Sequence, residues 1–511
     1  MLEKITLVLL WLIPLIPAMT AVWVGWSRQS PAALARGSVR SLEWTAGIFV
    51  VILALLVAQP LSGTEHWLSV RPLSLLMAGL VLLIGWVVVR FSVRYMAGEP
   101  RLAFFYRWLL LTLASVLFAV LANHLLLLLV GWMVISLSLH RLLLFYPHRA
   151  RTVLAAHKKF VIARIGELSL AVGFYILFQH FGTASIDQIL TQLPSTTWSV
   201  WLSVAACCLV LTALLKCAQL PVHGWLIQVV DAPTPVSALL HAGVINLGGY
   251  LLILFAPLLV QSSAANSFLL IAAGVSLVLC ALIMQTRVSI KVRLAWSTSA
   301  QMGFMLLECA MGLYELALLH LVAHSLYKAH AFLTAGHAVT DEIFVRQIKG
   351  AALKPLVFVL HFILLFGALG VAAYNMQGAV SLWLLLVITF SFYLTSHAAD
   401  WRNYLRAVAT TTGLFVVLLS WKWFAPDVFN LAISPQVPLY FELWCLLLIF
   451  ALLAVSWLLQ TQQPKPQTTR WQHALFAGLY LDEWLTRVTQ RLWPIDLKVL
   501  PYDPFNSNHK F

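Results

Sequence analysis

Leu209-Val-Leu-Thr-Ala-Leu-Leu-Lys216-Cys-Ala-Gln-Leu-Pro221 is the stretch on which the reading of this chain turns. An apolar run ends on a lysine, and a proline follows within two helical turns. Proline removes a backbone donor and frees a carbonyl, so the helix is expected to break there. Lysine inside an apolar segment is costly, and one beside a broken helix at mid-membrane is an arrangement ion-coupled transporters use. Its pKa falls readily on desolvation, which suits it to binding and releasing a proton. The alternative is a lysine that snorkels to the surface, but Lys216 lies far from either flanking basic loop.

Outward from that stretch the chain is apolar throughout. Of its 511 residues 61% are hydrophobic and only 10% charged, with a mean hydropathy of +0.90. A soluble protein carries about 25% charged residues, so the chain reads as an all-α polytopic membrane protein. Apolar segments fall near 5–26, 43–61, 72–89, 104–122, 124–146, 160–179, 199–220, 235–258, 266–286, 294–311, 314–338, 356–375, 379–398, 407–424 and 440–460. That gives about 14 to 15 transmembrane helices with short turns between them. The first, Ile5 to Trp26, is longer than a usual leader and lacks a basic start, so it reads as a helix.

Net charge is +14, and its placement fixes an expected orientation. Twenty-six of the 32 Lys and Arg residues follow odd-numbered helices, and only Lys4, Arg71 and Lys422 lie on the other side. By the positive-inside rule the N-terminus is periplasmic and the C-terminus cytoplasmic, in a bacterial inner membrane. No basic run with interleaved aromatics points to nucleic acid. The six cysteines form no C-x-x-C, and all suit packing in a helix bundle.

Three basic residues remain inside spans: Arg164, Lys216 and Lys328. Arg164 and Glu167 are three residues apart, on one helix face, where they can pair; a purely structural pair is the equal alternative. Glu308 is a weaker candidate. His320, His324 and Lys328 recur every four residues as one polar stripe, which should face the bundle interior or a hydrated path. Histidine titrates near neutral pH and can pass protons. A zinc site at His320 and His324 is the rival, but no H-E-x-x-H glutamate and no third ligand accompany them. His241, six residues after Pro235, joins this inventory, with a satisfied core histidine as the alternative.

The segment Lys216 to Trp225, running into Asp231-Ala-Pro-Thr-Pro-Val-Ser-Ala-Leu-Leu-His241, resembles the signature of the antiporter-like subunits of respiratory complex I and of Mrp-type cation/proton antiporters. The subunit-5 (NuoL-like) branch is nearest in kind. Tyr95-Met96, Glu99-Pro100, Val130-Gly-Trp132, Arg164-Ile-Gly-Glu167, Leu294-Ala-Trp-Ser-Thr298, Gln301-Met-Gly-Phe304, His320-x-x-x-His324-x-x-x-Lys328 and Gly478-Leu-Tyr-Leu-Asp-Glu483 support it. The resemblance spans roughly 70–485 and implies two inverted five-helix repeats, each with a discontinuous helix. It assigns the first break to Pro221, Pro233 and Pro235, the broken-helix lysine to Lys216, relay roles to His241 and His324, and closure of the path to Lys328. The domains expected are 1–103 (N-terminal helices), 104–260 and 261–400 (the two repeats), 401–460 (C-terminal helices) and 461–511 (linker, amphipathic helix and tail).

Three departures stand out. Met133 occupies the place of the family's glutamate after Gly-Trp, and Glu167 is the candidate replacement. Residues 366–378, where a second broken helix would carry a charge, have none. The chain given ends at Phe511, short of the lateral helix of complex I subunits. With Ala323 to Leu333, these features resemble the DabB family of inorganic-carbon uptake subunits. That resemblance implies a DabA-like cytoplasmic zinc protein, itself resembling a β-carbonic anhydrase, as partner, with H⁺ or Na⁺ conducted by the membrane subunit. Zinc is expected only in the partner, and no cofactor or catalytic residue in this chain. The competing readings are a proton-pumping subunit of an NADH-quinone oxidoreductase or hydrogenase complex, and an Mrp-type Na⁺/H⁺ antiporter subunit. After residue 460 a polar linker leads into Trp471 to Trp493, whose apolar face suits the membrane surface or another protein.

Overall fold

The computed structural model describes residues 2–59, 66–336, 355–376, 380–397, 401–431, 437–461, 470 and 473–494. The expected linker 462–469, the tail beyond 494 and the basic loop 337–354 lie outside the described residues. The helices are α1 (Leu2–Trp26), α2 (Pro31–Ala58), α3 (Pro72–Tyr95), α4 (Leu102–Leu121), α5 (Leu125–Leu143), α6 (Ala150–Phe181), α7 (Ile186–Gln192), α8 (Val200–Lys216), α9 (Gly224–Gln228), α10 (Thr234–Ala242), α11 (Leu247–Leu254) and α12 (Ala256–Val260). They continue as α13 (Ser263–Gln285), α14 (Ile290–Ala310), α15 (Tyr314–Leu333), α16 (Pro355–Met376), α17 (Val380–His397), α18 (Trp401–Val428), α19 (Leu439–Thr461) and α20 (Leu481–Leu492).

Each of the fifteen apolar segments is helical, 235–258 being divided among α10, α11 and α12, and the described residues contain no strand beyond two isolated bridges. Eleven stretches are long and apolar enough to cross a membrane. Two further helices, α14 of 21 residues and α15 of 20, carry the charges and histidines of the site and are not among the eleven. Only helices can span here, because a bilayer offers no water to satisfy open backbone groups.

Packing runs α1 against α4, α4 against α5, α6 against α8 and α13 against α14, with α10 against α15 at the centre. Helices in lipid gain little from burial against each other, so close approach at small residues matters more. Gly248 is such a point: a Cβ there would fall 2.5 Å from the Cys217 sulfur and 2.8 Å from the Ala213 carbonyl. That contact seats α11 against α8 at the level where α8 stops.

The break after Lys216 is long. Cys217 caps α8, Ala218 has φ +50°, and the Leu220–Pro221 bond is cis. The short α9 and a 3₁₀ turn follow, and Pro233 and Pro235 end the break by opening α10. A further interruption separates α10 from α11 at Gly243–Asn246. In the second half, α16 runs unbroken from Pro355 to Met376. The break expected over 366–378 therefore does not occur in its described part. Val, Leu, Phe and Ala dominate that helix, and no internal proline frees a carbonyl.

Several helices begin earlier than hydropathy suggests, α2 and α6 by about ten residues. The most informative is α6, which starts at Ala150 rather than near 160. Lys158 and Lys159, which precede the apolar segment 160–179, are therefore helical and buried.

Candidate functional site

The polar residues of the membrane interior fall into two groups, one on each side of the α10–α11 interruption. In the first, Lys216 ends α8 with its ammonium 4.7 Å from the Trp132 ring centre on α5. A ring face attracts a desolvated cation, by about 2 kcal/mol in favourable cases. Lys216 lines a cavity of about 30 Å³, the volume open to water centres, with Trp132, Ser136, Lys159, Glu167 and Ile245. That space admits about one or two waters.

Glu167 accepts from Arg164 Nη2 at 2.7 Å, so the i, i+3 pair forms as spaced. Arg164 Nη2 also donates to Ser136 Oγ at 2.9 Å, and Lys159 Nζ donates to the Ser136 carbonyl at 2.6 Å. Lys159 is the residue that sequence reading passed over. It stands eight residues before Glu167, on the same face of α6, and that spacing could have marked it. Glu167 lines the Lys216 cavity, whereas Met133 is exposed and does not line it.

The second group lies along α15. His320 Nδ1 is 3.1 Å from Glu308 Oε2 of α14, and its ring centre is 6.2 Å from that of His324. His324 is buried, with no hydrogen-bond partner on either nitrogen. His241 stacks on Phe332 at 4.3 Å and meets Thr298 Oγ1 at 3.1 Å through Nδ1, leaving Nε2 buried and unpartnered. Lys328, fully buried, donates to Ser297 Oγ and, at 3.2 Å, to the Leu294 carbonyl. The structure thus brings His241, His320, His324 and Lys328 onto one interior seam, and holds Lys216, Glu167 and Arg164 apart from it. Val244 and Ile245 of the α10–α11 interruption line the Lys216 cavity, while the adjacent Asn246 donates to Ser325 beside His324. Among the described residues no cluster of three His, Cys, Asp or Glu could hold a metal.

A third contact was not foreseen. Asp482 at the start of α20 accepts from Lys158 Nζ at 2.6 Å and from Gln228 Nε2 at 2.8 Å. Trp493 stacks on His157 at 3.9 Å. The side of α20 that carries Asp482, Leu485 and Thr489 packs on α6 of its own chain, while Trp484 and Leu492 of the apolar face read above as fit for the membrane surface or another protein stay exposed. Burial raises the Asp482 carboxyl above its usual range, and the Lys158 ammonium and the hydrogen bonds the carboxyl accepts oppose this.

A broken helix with a lysine at the break and an interior histidine seam is the arrangement that the antiporter-like resemblance implies. Residues 122–394 match the family described as "NADH:quinone oxidoreductase/Mrp antiporter, TM". Residues 66–106 match "NADH-Ubiquinone oxidoreductase (complex I), chain 5 N-terminus". The chain is 43% identical to the "Probable inorganic carbon transporter subunit DabB" of Hydrogenovibrio crunogenus, over 94% of this chain and 97% of that protein. It is 34% identical to the "NADH-quinone oxidoreductase subunit L" of Pseudomonas aeruginosa, over 62% of this chain and 52% of that one. A chain of the Mrp complex from Dietzia sp. shares the fold with a TM-score of 0.58 at 22% identity, covering 98% of this chain and 57% of its own length. The chain belongs to the DabB family, within the NuoL-like antiporter superfamily of ion-translocating membrane subunits.

Proposed function

We propose that this chain is the ion-conducting membrane subunit of an energy-coupled inorganic-carbon uptake complex, with a proton as the ion carried. The observation that carries the reading is the match to a DabB relative along nearly the whole of both chains. The interior supports it: Lys216, Lys159 and Glu167 around one small cavity, and a buried His241–His320–His324–Lys328 seam with unsatisfied nitrogens. A buried imidazole nitrogen without a partner is costly, and a moving proton or a water chain supplies one.

In this reading cation flow makes CO₂ hydration by a DabA-like cytoplasmic zinc partner one-way, so bicarbonate accumulates. A proton descending about 150 mV releases about 3.4 kcal/mol, enough for a roughly 300-fold gradient. The membrane subunit itself performs no covalent chemistry. The Lys and Arg distribution supports a cytoplasmic C-terminus, which a C-terminal reporter fusion checks.

The test is co-expression with a DabA-like soluble zinc protein in bacteria lacking carbonic anhydrase. Growth in air that needs both chains, and collapses when a protonophore is added, is the expected result. Growth from the membrane chain alone, or uptake indifferent to the protonophore, overturns the reading.

A further inference from the structure

The second half of the molecule lacks a charge where its broken helix was expected, yet it buries an ion pair elsewhere. Lys422, near the end of α18, lies 3.8 Å from Glu315 in the first turn of α15, and both side chains are about nine-tenths buried. The Trp421 indole donates to the Glu315 carbonyl at 2.7 Å, fixing α18 against α15 at this level. The Trp383 ring of α17 lies 5.5 Å from the Lys422 ammonium. A tight turn through Gly312, at φ +75°, folds α15 back on α14, and Leu313 N–H bonds the Glu308 carbonyl at 2.9 Å. Glu308 and Glu315 thereby come within electrostatic reach of each other. Glu308 in turn holds His320.

We propose that Lys422, Glu315, Glu308 and His320 form the outer leg of the ion path, with Lys422 supplying the second-half charge from α18 instead of from a broken helix. This rests on the ion-conducting reading above. The location fits. These residues sit at the end of α14 and the start of α15, opposite the face where Arg287, just before α14, approaches the Leu475 carbonyl and α20 docks. A buried ion pair in a membrane is expensive unless it faces a polar route, and this one continues residue by residue into the histidine seam.

The proton step balances. A proton taken up on Glu308 Oε2 passes along the existing 3.1 Å contact to His320 Nδ1, restoring the carboxylate. The imidazolium then releases its Nε2 proton toward His324 and returns to neutral. Lys422 is a positioning residue: paired with Glu315 at 3.8 Å, it holds that carboxylate at the turn from which Glu308 reaches His320.

The experiment uses the full chain purified in its native assembly and reconstituted in liposomes, with flux read by pH- and sodium-sensitive dyes under an imposed potential. Lys422→Met and Glu308→Gln should each lower flux at least about tenfold. Lys422→Arg, and the swap of Glu315→Lys with Lys422→Glu, should restore most of it. If Glu308→Gln and Lys422→Met conduct like the unaltered chain while Lys216→Ala does not, the outer leg is refuted and the ion-conducting reading survives. If the unaltered chain moves neither ion, both fall. Should Lys422→Met fail to assemble, the near-isosteric Glu308→Gln decides alone.

Discussion

Lys158 of α6 and Asp482 of α20, 324 residues apart in the chain, share a 2.6 Å hydrogen bond. Lys158 is fully buried, whereas the Asp482 side chain is about a quarter exposed. Removing one partner of such a pair leaves a buried charge uncompensated, a loss of about 3–5 kcal/mol. Asp482→Ala should therefore free α20 from α6, seen as loss of amide-exchange protection over 481–492. Replacing both partners, Lys158→Met with Asp482→Leu, should recover much of that protection. Protection unchanged in Asp482→Ala would mean the Trp493–His157 stack holds the helix alone.

Gly224 tests the same contact from the other side. A Cβ on Gly224 would fall 1.6 Å from Asp482 Oδ1, closer than any side chain tolerates. Since Gly224 opens α9, which itself follows the Lys216 break, Gly224→Ala displaces α20 without touching a charge. The expected outcome is the exchange pattern of Asp482→Ala, with the bundle still extracted intact. A protected α20 in Gly224→Ala would mean α9 yields instead.

Much of this was legible before any coordinates. Hydropathy placed fifteen helices, and the Lys216–Pro221 spacing located the first break, because both follow from local chemistry: apolar length and a missing donor. The helix period put His320, His324 and Lys328 on one stripe. What the sequence hid depends on contacts across the bundle. Lys159 looked like one more cytoplasmic lysine, since nothing local says that α6 starts at Ala150 and buries it. Lys422 looked like a loop charge until α18 placed it beside Glu315. Asp482 lies in a stretch that matches the family, but no periodicity reveals that it reaches Lys158. The second break was what the family resemblance implied, and α16 lacks the internal proline that would make one.

The first polar group predicts a set of matched losses. Lys216→Ala should reduce ion flux at least about tenfold while the protein stays in the membrane, because it removes the switchable charge over Trp132. Glu167→Gln and Lys159→Met should do likewise, as both line the same cavity. Dye-reported flux in proteoliposomes, normalised to assembled protein, is the measure. A harmless Glu167→Gln would make the Arg164 pair structural and leave Lys216 without an acidic neighbour in the mechanism.

Truncation at about residue 470 asks what α20 is for. The helix covers the end of α6 where Lys158 is buried, one residue before Lys159 reaches Ser136 beside the Lys216 cavity. A soluble partner that engaged α20 would pull on Lys158 directly and shift Lys159 by a short, stiff lever. Loss of α20 also leaves Lys158 buried without its carboxylate. The truncated chain should therefore still reach the membrane, lose co-purification of the zinc partner, and fail to support growth in air of cells lacking carbonic anhydrase. Lys158→Met in the same truncated chain removes the stranded charge. If that change leaves membrane levels intact and growth still fails, the defect lies in coupling to the partner, not in folding. If the truncated chain keeps its partner and supports full growth, α20 is a cover without a coupling role, and the docking surface is on the basic loops.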